Sequence, residues 1–195
     1  MNISQINFQV REYKVVLIGD AFVGKTSIFN QIHQKKINMN EAPTISVSYI
    51  QIPFEYDGRE FRINLWDTAG AEQYQSLTPS YTRHSDAVII VFDLSKEESF
   101  INSCRYFENI RETINPSALK VLCGNKKDLN PTPECSEYQK WCEENDSHLY
   151  TVSALTGDGI TEMFNDIVKL LSDVGPLTER KYDLEVSNKS SNCSC

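Results

Sequence analysis

A glycine-rich segment near the start of the chain has residue types that bind phosphate. It reads GDAFVGKT from Gly19 to Thr26 and fits G-x-x-x-x-G-K-[ST], between a predicted strand and a predicted helix. Glycines allow close backbone approach, the loop amides and helix N-terminus face an anion, and Lys25 neutralises phosphate oxygens. The Thr26 hydroxyl suits Mg²⁺. A coincidental glycine turn is the alternative. The predicted phosphate site comprises Gly19, Asp20, Ala21, Val23, Gly24, Lys25, Thr26 and Ser27.

A second segment, LWDTAG, places a carboxylate at the end of a predicted strand. Asp67 there can hold Mg²⁺ through a water molecule. Gly70 lets its backbone N–H approach a terminal phosphate. The alternative is an ordinary aspartate in a turn after a strand. Together with the phosphate loop upstream, the segment predicts a metal-binding role for Asp67.

A third segment, NKKD at 125–128, can recognise a base. A carboxylate only accepts hydrogen bonds, and guanine offers it two donors where adenine offers neither, so Asp128 selects guanine. Asn125 can tie the loop and contact the base edge, and the stem of Lys126 can cover the ring. The segment SAL at 153–155 would bring the Ala154 amide to the guanine O6. A solvated loop is the alternative. The predicted base site comprises Asn125, Lys126, Asp128, Ser153, Ala154 and Leu155.

The elements that must position these segments alternate between strands and helices. Asp57-Gly58 marks a hairpin between two alternating runs, and Ser95 with Glu98 predicts a capping box before a helix that Pro116 ends. The pattern predicts an α/β fold of the P-loop NTPase type, with a six-stranded, mostly parallel sheet, one antiparallel edge strand and helices on both faces. Further predicted strands lie at 13–19, 86–93, 118–125 and 148–154, and a last amphipathic helix contains Ile160, Met163, Phe164, Ile167, Val168 and Leu171.

Length and charge narrow the function classes. The chain has 195 residues and a net charge of -8, so no basic footprint for nucleic acid is present. We expect one domain at 1–174 and a disordered polar tail at 175–195. We expect no signal peptide, and the apolar run at 87–92 is too short to span a bilayer. The six cysteines are expected to be reduced thiols.

Four motifs in this order resemble the Ras superfamily of small GTPases over about residues 13–172. Within it the chain is similar to the Rab family, because 65–100 follows the Rab pattern and the chain ends in Cys-Ser-Cys. The resemblance implies a switch in vesicle traffic that binds GTP/GDP and Mg²⁺. It also implies exchange factors, GTPase activators, effectors, and prenylation escort and dissociation-inhibitor proteins. We expect a cytoplasmic protein that cycles to the cytoplasmic face of an intracellular membrane.

The resemblance also assigns roles to single residues. Thr44 matches the switch I threonine that binds Mg²⁺ and senses the γ-phosphate, and switch II matches about 67–82. With Lys25 and Gly70, Thr44 completes the implied catalytic set. Tyr49, Trp66 and Tyr81 match the aromatic triad that contacts effectors; the alternative is ordinary hydrophobic packing. Cys193 and Cys195 match a double geranylgeranylation site; the alternative is two exposed thiols on a tail.

Three departures from the family pattern bear on function. Ser46 replaces a glycine in switch I, and Ile37 replaces an aromatic residue that packs across the guanine edge. Ala71 replaces the glutamine that orients the attacking water. The methyl group of Ala71 makes no hydrogen bond. Gln73 could replace the missing glutamine only in a shifted register, and Glu72 would bring negative charge towards the γ-phosphate. We therefore expect slow intrinsic hydrolysis.

Three functions remain open from the sequence. The first is a GTP-dependent switch that hydrolyses slowly alone and faster with an activator. The second is a GTP-binding scaffold without meaningful turnover, governed by nucleotide exchange. The third, a nucleoside or nucleotide kinase, is disfavoured because NKKD and the switch I threonine have no place in it.

Overall fold

The computed structural model describes residues 10–33, 48–68, 78–129 and 135–175. Within them, strands and helices alternate as the sequence predicts. The strands are β1 (Arg11–Ile18), β2 (Ser48–Tyr56), β3 (Arg59–Asp67), β4 (Ala87–Asp93), β5 (Leu119–Asn125) and β6 (His148–Thr151). The helices are α1 (Lys25–Ile32), α2 (Thr78–Thr82), α3 (Glu97–Arg111), α4 (Cys135–Glu144) and α5 (Ile160–Val174), with a 3-10 turn at Lys127–Leu129.

The strands of the described residues form one sheet in the order β2-β3-β1-β4-β5-β6. The pairs β1–β3, β1–β4, β4–β5 and β5–β6 are parallel, and edge strand β2 runs antiparallel to β3. The predicted fold class is confirmed. Since β1 and β4 are central and parallel, their carboxyl ends lie side by side at one edge of the sheet, where the loops that follow them meet.

The hairpin between β2 and β3 has the predicted two-residue turn. Asp57 and Gly58 both have positive φ, at 51° and 68°. That combination belongs to the type I′ turn, whose twist matches the flanking strands. The turn sets the register that places Ser48 opposite Asp67.

Two apolar clusters cover the two faces of the sheet. Side chains that alternate along β1 divide between them: Val15 and Leu17 join the first cluster, and Val16 and Ile18 join the second. Helices α1 and α5 pack on the first face, whereas α3 and α4 pack on the second. Strand β4 is buried along its whole length because both faces are covered.

Several local expectations were wrong. The capping box does not form: α3 begins at Glu97 with Lys96 as its N-cap, because the Ser95 hydroxyl donates to Asp93 Oδ1 at 2.7 Å instead. Helix α3 ends at Arg111 and does not continue to Pro116. Just after the helix end, the Thr113 hydroxyl donates to the Ile110 carbonyl. Strand β6 ends at Thr151 rather than at 154.

Helix α4 was not predicted. Its signal is short, since Tyr138, Trp141 and Cys142 supply its apolar face at i, i+3 and i+4. The rings of Phe100 and Phe107 on α3 contact Trp141 at centroid distances of 6.4 and 5.1 Å. Tertiary contacts with α3 therefore stabilise a helix whose own pattern is weak.

Helix α5 ends at Val174, and Gly175 follows it with a φ of 72°. The expected tail lies outside the described residues, so the domain boundary stays a prediction. Among the helices of the described residues, none is long and apolar enough to cross a membrane. In the same part of the chain Cys104, Cys123 and Cys142 are free thiols.

Candidate functional site

The loop between β1 and α1 has a backbone suited to an anion. Phe22 and Gly24 have positive φ, at 65° and 99°, with Val23 between them. Alternation of left-handed with ordinary residues turns successive N–H groups into one concavity. A Cβ at Gly19 would overlap the Val91 carbonyl oxygen, and one at Gly24 would overlap the Asn125 side-chain amide. Both glycines are therefore required by packing within the protein.

Lys25 lies almost completely buried under this loop. Its Nζ donates to the carbonyl oxygens of Gly19 at 2.8 Å and Asp20 at 2.6 Å. Burial lowers the pKa of Lys25 to about 8, although the nearby carboxylates of Asp67 and Asp20 act to raise it. An anion in the concavity would favour the charged amine, so the loop and Lys25 together suit a phosphate.

The remaining loop residues are placed by their neighbours. Asp20 Oδ2 accepts a hydrogen bond of 2.8 Å from Asn102 Nδ2, which ties the loop to α3. Ala21 lies in the loop, and Ser27 lies in the first turn of α1. Asn102 was not predicted, because nothing near it in sequence marks it.

Two oxygen-bearing side chains meet beside the loop. Thr26 Oγ1 donates to Asp67 Oδ2 at 2.7 Å, although the two residues are 41 positions apart. The Thr68 hydroxyl holds the end of β3 by donating to the Leu17 carbonyl at 2.7 Å. A hydroxyl and a carboxylate are the ligand types that Mg²⁺ prefers, so this pair fits that ion. The structure thus brings the predicted metal-binding residues Thr26 and Asp67 together.

Asn125 connects the phosphate loop to the other motifs. Its Nδ2 donates to the Val23 carbonyl at 2.9 Å, and its Oδ1 accepts from the Ala154 amide at 2.9 Å. The residue is 2% exposed, so both hydrogen bonds lie in a buried setting. The phosphate loop, NKKD and the SAL segment therefore adjoin one another at the carboxyl edge of the sheet.

The carboxylate of Asp128 is oriented by Ser153. The Ser153 hydroxyl donates to Asp128 Oδ1 at 2.6 Å and accepts from the Thr156 amide at 3.1 Å. The Lys127 amide donates to the Val152 carbonyl at 3.0 Å, which joins the two loops. Asp128 is partly exposed, so its oriented carboxylate is available to donors on a ligand edge. Leu155 is exposed at the same rim.

Lys126 contacts Asp93, which was not predicted as a site residue. Its Nζ donates to Asp93 Oδ2 at 2.7 Å. Asp93 is the last residue of β4, next to the predicted loops, and a carboxylate at that edge of a parallel sheet was a usable signal.

The aromatic residues of the implied triad lie on the β2–β3 hairpin and on α2. The rings of Tyr49 and Trp66 are 5.1 Å apart, and Tyr49 is 49% exposed. Lys14 Nζ lies 5.5 Å from the centroid of the Trp66 ring. Tyr81 packs, with Trp66, at the margin of the second apolar cluster. Tyr49 and Trp66 are therefore brought together on an accessible face.

Several predicted residues lie outside the described part of the chain: Ile37, Thr44, Ser46, Gly70, Ala71, Cys193 and Cys195. Their roles stay predictions.

Known proteins resemble this chain over most of its length. The model of the Ras family matches residues 14–173. Ras-related protein Rab-4B of Rattus norvegicus is 31% identical over 154 residues, which cover 78% of this chain and 72% of that protein. Ras-related protein Rab-21 of Geodia cydonium is 31% identical over 84% of this chain and 72% of its own length. Ras-related protein Rab-30 of Homo sapiens is 32% identical over 92% of this chain and 87% of its own length.

Proposed function

The chain belongs to the Ras family of small GTPases, and we propose that it is a Rab-like switch in vesicle traffic whose own GTP hydrolysis is slow. The observation that carries the proposal is the double hydrogen bond of Asn125. By bonding to Val23 and to Ala154, this side chain holds the phosphate loop and the SAL loop on either side of NKKD. A nucleotide needs its phosphate and base sites at a set separation, and this contact supports that arrangement.

In the proposed bound state, the loop amides and Lys25 hold the phosphates. Thr26, Asp67 and Thr44 would hold Mg²⁺, and the bound ion would supply positive charge beside the phosphates. Asp128, oriented by Ser153, accepts from the guanine N1–H and 2-amino groups. The Lys126 stem would cover the ring, and the Ala154 amide, which donates to Asn125 Oδ1, would reach the guanine O6 by sharing its hydrogen between two acceptors.

Slow hydrolysis follows from Ala71 in the sequence. A methyl group cannot orient the attacking water, so the family's transition-state contact is lost while binding is retained. A partner that supplies an arginine, and a glutamine as well, would restore turnover, since an arginine finger contributes about 10³–10⁵-fold. The same alanine also favours a second candidate, a GTP-binding scaffold controlled by nucleotide exchange alone.

Membrane attachment and partners complete the proposal. Cys193 and Cys195 would carry two lipid chains, which suits stable anchoring because one chain binds only marginally. Tyr49, Trp66 and Tyr81 would contact effectors. Changing both tail cysteines to serine should shift the protein from membranes to the cytosolic fraction of cells. Unchanged fractionation would remove the lipid part of the proposal.

The nucleotide specificity can be tested directly. We expect the purified protein to bind GDP and GTP tightly and adenine nucleotides poorly. Asp128→Asn replaces an acceptor-only group by one that can also donate, so guanine binding should fall and xanthine binding should rise. Asp146→Asn is a matched control, because Asp146 pairs with Lys120 away from the site. Equal binding of guanine and adenine nucleotides by the unmodified protein would overturn the proposal.

A further inference from the structure

Lys126 and Asp93 form an ion pair at the rim of the proposed base site. Lys126 Nζ lies 2.7 Å from Asp93 Oδ2, and the Asp93 side chain is only 3% exposed. Burial by itself would raise the pKa of Asp93, but hydrogen bonds from Lys126 and Ser95 outweigh it and lower the pKa below its ordinary value. Asp93 is therefore a carboxylate at neutral pH.

The second oxygen of Asp93 is occupied as well. Ser95 donates to Asp93 Oδ1 twice, from its amide at 3.0 Å and from its hydroxyl at 2.7 Å. The Asp93 amide donates to Ser99 Oγ at 2.9 Å. The carboxylate is thus fixed in orientation before it meets the lysine, and it is a rigid anchor rather than a mobile surface charge.

The backbone around Lys126 is tied to the same strand end. Asn125 pairs with Asp93 in the β4–β5 register, and the Leu94 amide donates to the Asn125 carbonyl at 2.9 Å. Lys126 itself has a φ of 67°, which an ordinary residue adopts only when its surroundings require it. Both ends of the Lys126 side chain, its Cα and its amine, are therefore held.

We propose that Asp93 is a positioning residue for the guanine base, which acts by holding the Lys126 amine so that the lysine stem forms one wall of the base site. This inference rests on the proposed function. A free lysine side chain would lose its rotamer freedom each time a base binds, whereas the ion pair with Asp93 orders the stem beforehand. The wall contacts the ring face, so its contribution is independent of the groups on the base edge.

The test measures dissociation rates of two fluorescent nucleotides, methylanthraniloyl-GDP and its inosine counterpart, which lacks the 2-amino group. Asp93→Asn keeps the shape and the Ser95 contacts but places an amide donor against the Lys126 amine. We expect both nucleotides to dissociate about tenfold faster, by the same factor, as loss of one pre-ordered side chain implies. Asp128→Asn, in contrast, should change the ratio of the two rates, because Asp128 reads the base edge.

A double-mutant cycle separates positioning from a general structural role. In the background of Lys126→Met, which keeps an apolar stem without the amine, Asp93→Asn should cause no further acceleration. Asp146→Asn is the matched control, since it makes the same acid-to-amide change in another Lys–Asp pair, Lys120–Asp146, away from the base site; its rates should stay close to those of the unmodified protein. If Asp93→Asn does not fold, Asp93→Ser takes its place in the cycle.

Two outcomes would overturn the inference: unchanged dissociation in the Asp93 variants, or an equal acceleration with and without the Lys126 amine. Failure of the proposed function is a separate result, seen in the unmodified protein. If that protein does not prefer guanine to adenine nucleotides, the base site itself is wrong. If it does and Asp93→Asn has no effect, the positioning role alone is wrong.

Discussion

The Asn125 side-chain amide donates to the Val23 carbonyl at 2.9 Å, although 102 residues separate them in sequence. The contact joins the end of β5 to the phosphate loop. It also explains Gly24, since a Cβ there would overlap the same amide. One buried side chain therefore restricts position 24 to glycine and holds the loop between β1 and α1 against the end of β5.

Asn125→Asp should weaken both folding and nucleotide binding. The carboxylate can still accept from Ala154 but faces the Val23 carbonyl as a second acceptor. We expect the free energy of unfolding to fall by about 1–3 kcal/mol, the usual cost of unsatisfied buried polar groups. Urea unfolding and GDP affinity check this. Asn145→Asp, away from the site at the end of α4, should have little effect on affinity. Wild-type stability in Asn125→Asp would contradict the bridging role.

Nucleotide binding should depend on the Mg²⁺ ion that Thr26 and Asp67 are proposed to hold. Chelation of Mg²⁺ by EDTA is expected to accelerate GDP dissociation. Thr26→Ala removes the hydroxyl that bonds to Asp67, so its GDP should dissociate roughly tenfold faster with Mg²⁺ present, which corresponds to about 1.4 kcal/mol. Its response to EDTA should be correspondingly smaller. Thr113→Ala, at the end of α3, is the control. A full EDTA response in Thr26→Ala would show that Thr26 is not a metal ligand.

Restoring a glutamine at position 71 should accelerate GTP hydrolysis. A side chain that orients the attacking water acts in the transition state, so Ala71→Gln should raise the single-turnover rate by at least about tenfold. GTP affinity should change little. Ala71→Leu adds size without hydrogen-bonding capacity and should stay slow. Equal rates for all three proteins would mean that another group places the water.

Nucleotide binding should take up a proton at alkaline pH. Burial lowers the pKa of Lys25 to about 8, so the Lys25 amine is mostly neutral in the nucleotide-free protein above that pH. A bound phosphate favours the protonated amine, so Lys25 takes up a proton on binding. Calorimetry in buffers of different ionisation enthalpy should show uptake of a fraction of a proton at high pH and almost none well below 8. Equal uptake at both pH values would contradict this assignment.

The lowered pKa of Lys25 also predicts how the stability of the nucleotide-free protein depends on pH. The folded-state pKa of Lys25 lies below the ordinary value of 10.5, so the unfolded chain binds more protons between about 8 and 10.5. The contribution of Lys25 to the free energy of unfolding should therefore rise as pH increases through that window. Lys25→Met should remove this part of the dependence, as measured by denaturant unfolding of nucleotide-free protein.

Phe22 should not be needed for stability. It is 68% exposed and has a φ of 65°, so it buries little apolar area in a conformation that disfavours bulky residues. Phe22→Gly removes roughly 1 kcal/mol of backbone strain and adds a similar unfolded-state entropy, which leaves stability near wild type. Phe22→Val should be less stable, because branching at Cβ disfavours positive φ. The reverse order in urea unfolding would contradict the strain.

Much of the fold followed from local patterns. Alternating strand and helix signals predicted the parallel sheet, and Asp57-Gly58 predicted the hairpin, because these features depend on residues close in sequence. The missed elements depend on distant partners. The short apolar face of helix α4 is stabilised by packing against α3. Ser95 does not cap α3 because its hydroxyl donates to Asp93.

The chemistry predicted for the site can be derived from the amino-acid sequence alone. GDAFVGKT, Asp67 and NKKD identify groups that suit phosphate, metal and guanine, since spacing within a short segment settles which backbone and side-chain groups can face one ligand. The contacts of the polar side chains are visible only in the folded chain: Asn125 with the Val23 carbonyl, Asn102 with Asp20, and Lys126 with Asp93. Those contacts depend on strand order and register at the carboxyl edge of the sheet, and no local pattern encodes the distance between the ends of two separate strands.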